Sequence, residues 1–201
     1  YNYEAYQALG GKSGTVAVYN YKTGEILCMV SAPSYDPLNV PTDLETNDRY
    51  RGAYLNRFLS STFTPGSVFK TVTASIGLEE GIVSEDSRFT CQGYYTLPGV
   101  KPMRCHVYPQ NHGNQNFVQA IANSCNPVFM TLGNQIGAHL FFKYYTGFGF
   151  TQRTGIDLLG EPLVTPGLYH DEKDIKPVDL ATSSIGQTFK VTPLQMVTAL
   201  A

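Results

Sequence analysis

The sequence predicts an α+β fold in two lobes: an N-terminal β-hairpin over residues 10–31, then a mainly helical part over residues 60–201. Three observations predict it. Two runs rich in β-branched and aromatic residues, 15–21 (TVAVYNY) and 26–30 (ILCMV), flank a short turn at Lys22-Thr23-Gly24-Glu25. Beyond residue 60, apolar residues recur at helical spacing, with proline near segment starts and glycine near an end. Between the two blocks, residues 31–50 are rich in Pro, Asp and Asn and read as loop.

Each element has a local reason. The second hairpin arm is almost wholly apolar, so both of its faces are expected to be covered. Thr64-Pro65-Gly66 predicts a helix start, with Thr64 as N-cap and Pro65 in the first turn. Val68, Phe69, Val72 and Ile76 mark its buried side, and Gly81 its end. Residues 86–116 read as irregular. Helices are expected over 117–122, from Asn126-Pro127 to about 136, over 138–145, over 177–184 and from 192 onward. A lone two-stranded ribbon is marginal in water. The last helical pattern still runs at Ala201, so the expectation is an incomplete domain whose further strands lie beyond that residue.

Composition narrows the function. The chain has 201 residues, 42% of them hydrophobic and 15% charged, with a net charge of -2. That balance supports a folded domain and no nucleic-acid partner. No apolar run is long enough to cross a bilayer, and the first residues do not read as a signal peptide.

Two short patterns carry possible chemistry. Ser67 and Lys70 are three residues apart, one helical turn. A serine hydroxyl needs a base before it attacks, and a lysine held among apolar side chains loses basicity enough to act as one. Alone the pattern is weak, expected by chance about half a time in such a chain; a capping serine and a solvated lysine would look the same. Ser124-Cys125-Asn126 strengthens it. Ser124 could pass a proton to a leaving amine, and Asn126 could bond a substrate amide through both ends of its side chain. Asn126 could equally cap the helix that Pro127 begins. Lys-Ser/Thr-Gly, a third signature of active-serine enzymes, occurs at Lys12-Ser13-Gly14 and Lys22-Thr23-Gly24. Both copies precede Ser67, and the second is a hairpin turn.

The whole chain resembles the transpeptidase domain of class B penicillin-binding proteins, of the stage V sporulation protein D type. The resemblance is carried by KTGEILCMVSAPSYDPLN, LNRFLSSTFTPGSVFK, SCNPVF, FGFTQRTGIDLLGE and SSIGQTFKVTPLQMVTALA. It implies a penicillin-binding, serine β-lactamase-like fold and a peptidoglycan D,D-transpeptidase. That enzyme acts through a serine acyl-enzyme on D-Ala-D-Ala stem peptides, with β-lactams as covalent inhibitors. It further implies a membrane anchor upstream, a site at the extracytoplasmic face of the bacterial membrane, and a cell-wall glycosyltransferase as partner. The family places its Lys-Ser/Thr-Gly strand after Ser-x-Asn, so a chain ending at Ala201 is expected to be inactive by itself. Two alternatives stand beside this reading: an acyl-serine hydrolase (β-lactamase or D,D-carboxypeptidase), and a zinc-stapled scaffold without catalysis.

Cys91, Cys105, His112 and Cys125 follow C-x13-C-x6-H-x12-C. Cys3His is a closed structural zinc set, although the spacing matches no short zinc signature. The resemblance adds that some relatives hold a metal here, with the middle residue of Ser-x-Asn as last ligand. No cofactor is needed for the acyl chemistry. A Cys91–Cys105 disulfide and unrelated buried thiols compete with the zinc reading. Cys28 reads as packing, as do Phe141, Phe142, Tyr144 and Tyr145. Asp157 and Glu161 read as a structural turn. Gly186, Gln187 and Thr188 are expected to line the cleft.

Overall fold

The computed structural model describes residues 1–162, 169 and 171–201. A short helix, α1 (Asn2–Ala8), precedes the hairpin and had no clear periodic signal. Strands β1 (Gly14–Tyr19) and β2 (Ile26–Ala32) pair antiparallel, Gly14 opposite Ala32 and Val18 opposite Cys28. Asn2 Oδ1 accepts from the Met29 N–H at 3.3 Å and ties α1 to β2. The expectation of a fully covered second arm is corrected: only Cys28 and Ala32 are buried, and Leu27 is 49% exposed. The sheet holding β2 has two strands among the described residues, and α1 does not cover all of it. A small core of Phe58, Leu59 and Leu194, flanked by Ala17, Ile26, Met29, Ile156 and Val197, joins the hairpin to the helical body.

The predicted start at Thr64 is also corrected. Residues Gly66–Phe69 form a 3-10 turn, and the α-helix, α2, spans Lys70–Glu79. Tertiary restraints outrank the local start signal. Phe63 is bridged in both directions to Val191 (2.8 and 2.9 Å), and the Gly66 N–H donates to Gly186 O at 2.8 Å. The chain therefore enters from an extended bridge and tightens through Gly66 at φ +61°. Phe69, fully buried, plugs this turn into an aromatic cluster: its ring lies 4.6 Å from Phe189, 5.4 Å from Phe150 and 6.0 Å from Phe141. Burying one phenylalanine stabilises by about 1.5–3 kcal/mol, so the turn is anchored by its own last residue.

Residues 86–116, expected to be irregular, contain two β-ribbons. β3 (Arg88–Cys91) pairs with β6 (Gly113–Asn116), and β4 (Tyr94–Tyr95) pairs with β5 (Met103–Arg104). Strands of two to four residues carry almost no periodic signal. α3 (Phe117–Ala122) follows with a capping box between Asn116 and Gln119. α4 (Asn126–Gly147) is the long central helix, broken at Gly137 (φ +76°, ψ 165°), which gives the two predicted segments. α5 (Pro177–Ser183) and α6 (Pro193–Leu200) stand where expected, the latter with a Thr192–Gln195 capping box. α4 packs against α2 and α5 around one apolar core that includes Phe141, Phe142 and Tyr145. Tyr144 lies at its edge and donates to Glu80 Oε1 at 2.8 Å. No helix among the described residues is long and apolar enough to cross a membrane.

Gly186 sits at φ +72°, and a Cβ there would meet the backbone carbonyl of Gly66. Gly186→Ala should therefore lower the unfolding free energy by about 2–4 kcal/mol, from left-handed strain plus steric overlap. Urea denaturation checks this; a loss below half a kcal/mol would mean the two backbones are not in contact.

Candidate active site

The 3-10 turn has a chemical consequence. With i to i+3 bonding, side chains three apart eclipse, so Ser67 and Lys70 lie on one side of the chain. Ser67 is exposed while Lys70 is only 4% exposed. An ammonium removed from water must find its hydrogen bonds inside. Lys70 Nζ finds three: it donates to Ser124 O at 2.7 Å, Ser124 Oγ at 2.9 Å and Asn126 Oδ1 at 2.7 Å. It also stands 5.4 Å from the Phe129 ring centroid. All three ammonium hydrogens are thus used. No hydrogen bond joins Lys70 Nζ to Ser67 Oγ among the described residues; the lysine is engaged by the Ser-x-Asn loop instead.

Burial lowers the Lys70 pKa to about 8, while negative charge on the Cys105 and Cys125 sulfurs acts the other way. Near neutrality a minor but sizeable fraction is then the free amine. That amine has one hydrogen fewer and a lone pair, so one of its bonds must reverse. Ser124 Oγ is the one partner of the three that can turn from acceptor to donor. The triad can therefore carry a proton between Lys70 and Ser124 without moving heavy atoms.

Ser124 is held in place at a cost. Its φ is +47°, the one non-glycine residue with positive φ among the described residues. α3 ends at Ala122 with Asn123 as its C-cap, and the Ser124 N–H donates to Ile121 O at 2.9 Å and the Cys125 N–H to Ala120 O at 3.0 Å. Strain of this kind collects at functional sites. Asn126 is not a cap: Cys125 holds the N-cap position of α4, and the Asn126 side chain faces Lys70.

Cys125, between the two motif residues, points the opposite way. Its Sγ joins Cys91 Sγ, Cys105 Sγ and a ring nitrogen of His112, all within 4.8 Å of one another. Cys105 Sγ lies 3.7 Å from His112 Nδ1. Tetrahedral zinc with bonds of about 2.3 Å to sulfur needs ligand atoms roughly 3.8 Å apart, so the donor set and its size fit such an ion. All four cysteines are free thiols, and three of them share one cluster with His112. Burial pushes the Cys125 thiol up to about 12. Burial also acts upward on Cys91, but backbone N–H groups of His112 and Gly93 and the two neighbouring thiols outweigh it and bring it below its ordinary value. Cys28 is buried in β2, apart from this cluster.

The remaining candidates fall outside the site. Lys12 and Lys22 are exposed, the latter in the hairpin turn. Glu161 accepts from the Thr154 and Gly155 N–H groups at 2.6 and 3.3 Å, a structural turn as expected. Thr188 is engaged with Ser183 Oγ at 2.7 Å, and Gly186 backs the Ser67 turn, so this segment braces the site. Gln115 was not anticipated. Buried in β6, it accepts from Asn123 Nδ2 at 3.1 Å and so ties the ribbon to the residue before Ser124. Nothing local in the sequence marks it.

The family model for the penicillin binding protein transpeptidase domain matches residues 14–201. The chain belongs to this family. It is 39% identical over 191 residues to stage V sporulation protein D of Bacillus subtilis, covering 93% of this chain and 28% of that protein. It is 33% identical over 213 residues to the peptidoglycan D,D-transpeptidase MrdA of Acinetobacter baumannii, covering 98% of this chain and 31% of that one. Among solved structures, Pseudomonas aeruginosa PBP2 in complex with WCK 5153 superposes with a TM-score of 0.84 at 28% identity, over 97% of this chain and 45% of the other. The chain thus spans under a third of the length of these two relatives. The α+β fold is that of the penicillin binding protein transpeptidase domain.

The strain at Ser124 can be measured apart from its hydroxyl. Ser124→Gly and Ser124→Ala both delete the oxygen, but only glycine relieves the left-handed backbone. Ser124→Gly should be the more stable by about 1 kcal/mol in chemical denaturation; an alanine variant of equal or greater stability contradicts the strained geometry.

Proposed function

We propose that the protein is a serine-type peptidoglycan D,D-transpeptidase, and the observation that carries this reading is the buried Lys70 bridged to Ser124 and Asn126. In the reaction, Ser67 Oγ attacks the carbonyl of the penultimate D-alanine of a D-Ala-D-Ala stem peptide, and neutral Lys70 takes the hydroxyl proton. The C–N bond breaks as Ser124, reprotonated by Lys70, gives a proton to the departing D-alanine amine. Asn126 holds the peptide amide. An amine of a second stem then attacks the ester, forming the cross-link, and the proton it releases returns Ser67 to its hydroxyl. A β-lactam enters the first half of this sequence and stays as the acyl-enzyme.

The same reading places the protein at the extracytoplasmic face of the bacterial membrane, anchored outside the described residues and working with a cell-wall glycosyltransferase. It assigns a structural zinc to Cys91, Cys105, His112 and Cys125. Zinc with four protein ligands supplies folding energy and rigidity rather than a reacting water. Here it would fix Cys125 and, through it, the opposed directions of Ser124 and Asn126.

Fluorescent penicillin labelling of the full-length protein tests the chemistry. Ser67→Ala should abolish labelling, and Lys70→Ala should slow it by about 10²–10⁴. The wild-type rate should rise with pH and level off above about pH 8, because the reactive form of Lys70 is the deprotonated one. Labelling that survives in Ser67→Ala, or a rate indifferent to pH between 6 and 9 (a window spanning roughly one unit or more on either side of that pKa), overturns the assignment. For the metal, about one zinc per chain is expected by elemental analysis, falling with Cys125→Ser; metal-replete protein with only trace zinc ends that part.

A further inference from the structure

All 16 aspartate and glutamate residues lie outside residues 87–156, whereas Arg88, Lys101, Arg104, Lys143 and Arg153 lie within that stretch. Lys143 is paired with Glu80 at 3.2 Å, so Arg88, Lys101 and Arg104 are the cations that the ribbon stretch itself carries, with no acidic residue beside them in sequence. The β4–β5 ribbon bears a cavity of about 440 Å³, lined by Tyr94, Thr96, Lys101, Pro102, Arg104 and Tyr108. That volume lies in the range of small-ligand sites, about 300–1,000 Å³. Tyr94 and Arg104 are register partners, and the Arg104 guanidinium carbon stands 4.5 Å from the Tyr108 ring centroid. Stacking on that ring presets the guanidinium plane. Neither Lys101 nor Arg104 forms an ion pair among the described residues.

This lining selects a ligand chemistry. Two half-exposed tyrosine rings and a proline present flat, amphipathic faces, which suit the C–H faces of a pyranose ring. Two cations without acidic partners suit a carboxylate, and arginine can grip it with two parallel N–H groups. We propose that this cavity is a second binding site for peptidoglycan, taking a hexosamine unit and a carboxylate of its attached peptide. The polymer's identity rests on the transpeptidase reading above; the ligand chemistry rests on the cavity. The position favours it. Arg104 precedes Cys105, whose N–H donates to Gly93 O at 2.8 Å, and Cys105 belongs to the cluster that includes Cys125. A strand bound on the ribbon thus lies one residue from a cluster that also contains Cys125, the residue between Ser124 and Asn126.

The test is calorimetric titration of full-length Ser67→Ala protein with N-acetylglucosaminyl-N-acetylmuramyl-L-alanyl-D-isoglutamine, which has two hexosamine rings, a free carboxylate and no D-Ala-D-Ala. Binding is expected, weakened roughly fivefold or more by Arg104→Ala and by Tyr108→Ala, and weaker still for the uncharged dimer of N-acetylglucosamine. In an otherwise wild-type protein, Arg104→Ala should retain zinc and its rate of penicillin labelling. No binding, binding by both variants as tight as by the Ser67→Ala protein itself, equal binding of the uncharged dimer, or tighter binding of poly(glycerol phosphate) overturns the proposal. If wild-type Ser67 is not labelled by penicillin, the enzymatic reading falls, while the titration still reports on the cavity by itself.

Discussion

Everything in the site follows from one ammonium group taken out of water. Burying Lys70 costs several kcal/mol unless its hydrogens are all met, and the chain meets them with three acceptors from a loop more than fifty residues away. The arrangement is costly in a second way, since Ser124 sits in a left-handed backbone conformation to present both its carbonyl and its hydroxyl to the same nitrogen. These two costs are linked. A lysine with lowered basicity and a serine that can reverse its hydrogen bond form a proton path that neither would form alone.

The fold secures the two ends of this path by different means. On the Ser67 side the constraint is backbone on backbone: Gly66 lies against Gly186, Phe63 pairs with Val191, and Phe69 is sunk among aromatic rings. On the Ser124 side the constraint is side chain on side chain. Cys125 turns into a Cys3His cluster and Gln115 grips Asn123. A loop between two helices would otherwise be free to relax its strain. Held from behind, it keeps Ser124 and Asn126 facing the lysine. The ribbons β3–β6 and β4–β5 bring Cys91, Cys105 and His112 to that cluster.

The sequence legibly carried the parts whose signals are local. The hairpin shows as two β-branched runs around a turn, the later helices as apolar residues at helical spacing with proline near their starts, and Ser67 and Lys70 as a three-residue spacing. Signals failed where tertiary contacts outranked them. Thr64-Pro65 reads as a helix start, yet pairing of Phe63 with Val191 delays the α-helix to Lys70. The two- and four-residue strands are too short for any period. The apolar run of β2 suggested full burial, but apolarity records what a strand can tolerate, not what covers it.

By itself, then, the sequence determined which reactive residue types stand one turn apart and which follow in Ser-x-Asn, because residue type and spacing are properties of the chain. Only the tertiary structure decided how they are used. Lys70 bonds to Ser124 and Asn126 rather than to Ser67, Cys125 faces away from its two neighbours, and Gly186 supports a turn 120 residues earlier. Each depends on which distant backbone fills the space beside a side chain, and a linear pattern holds no record of that distance.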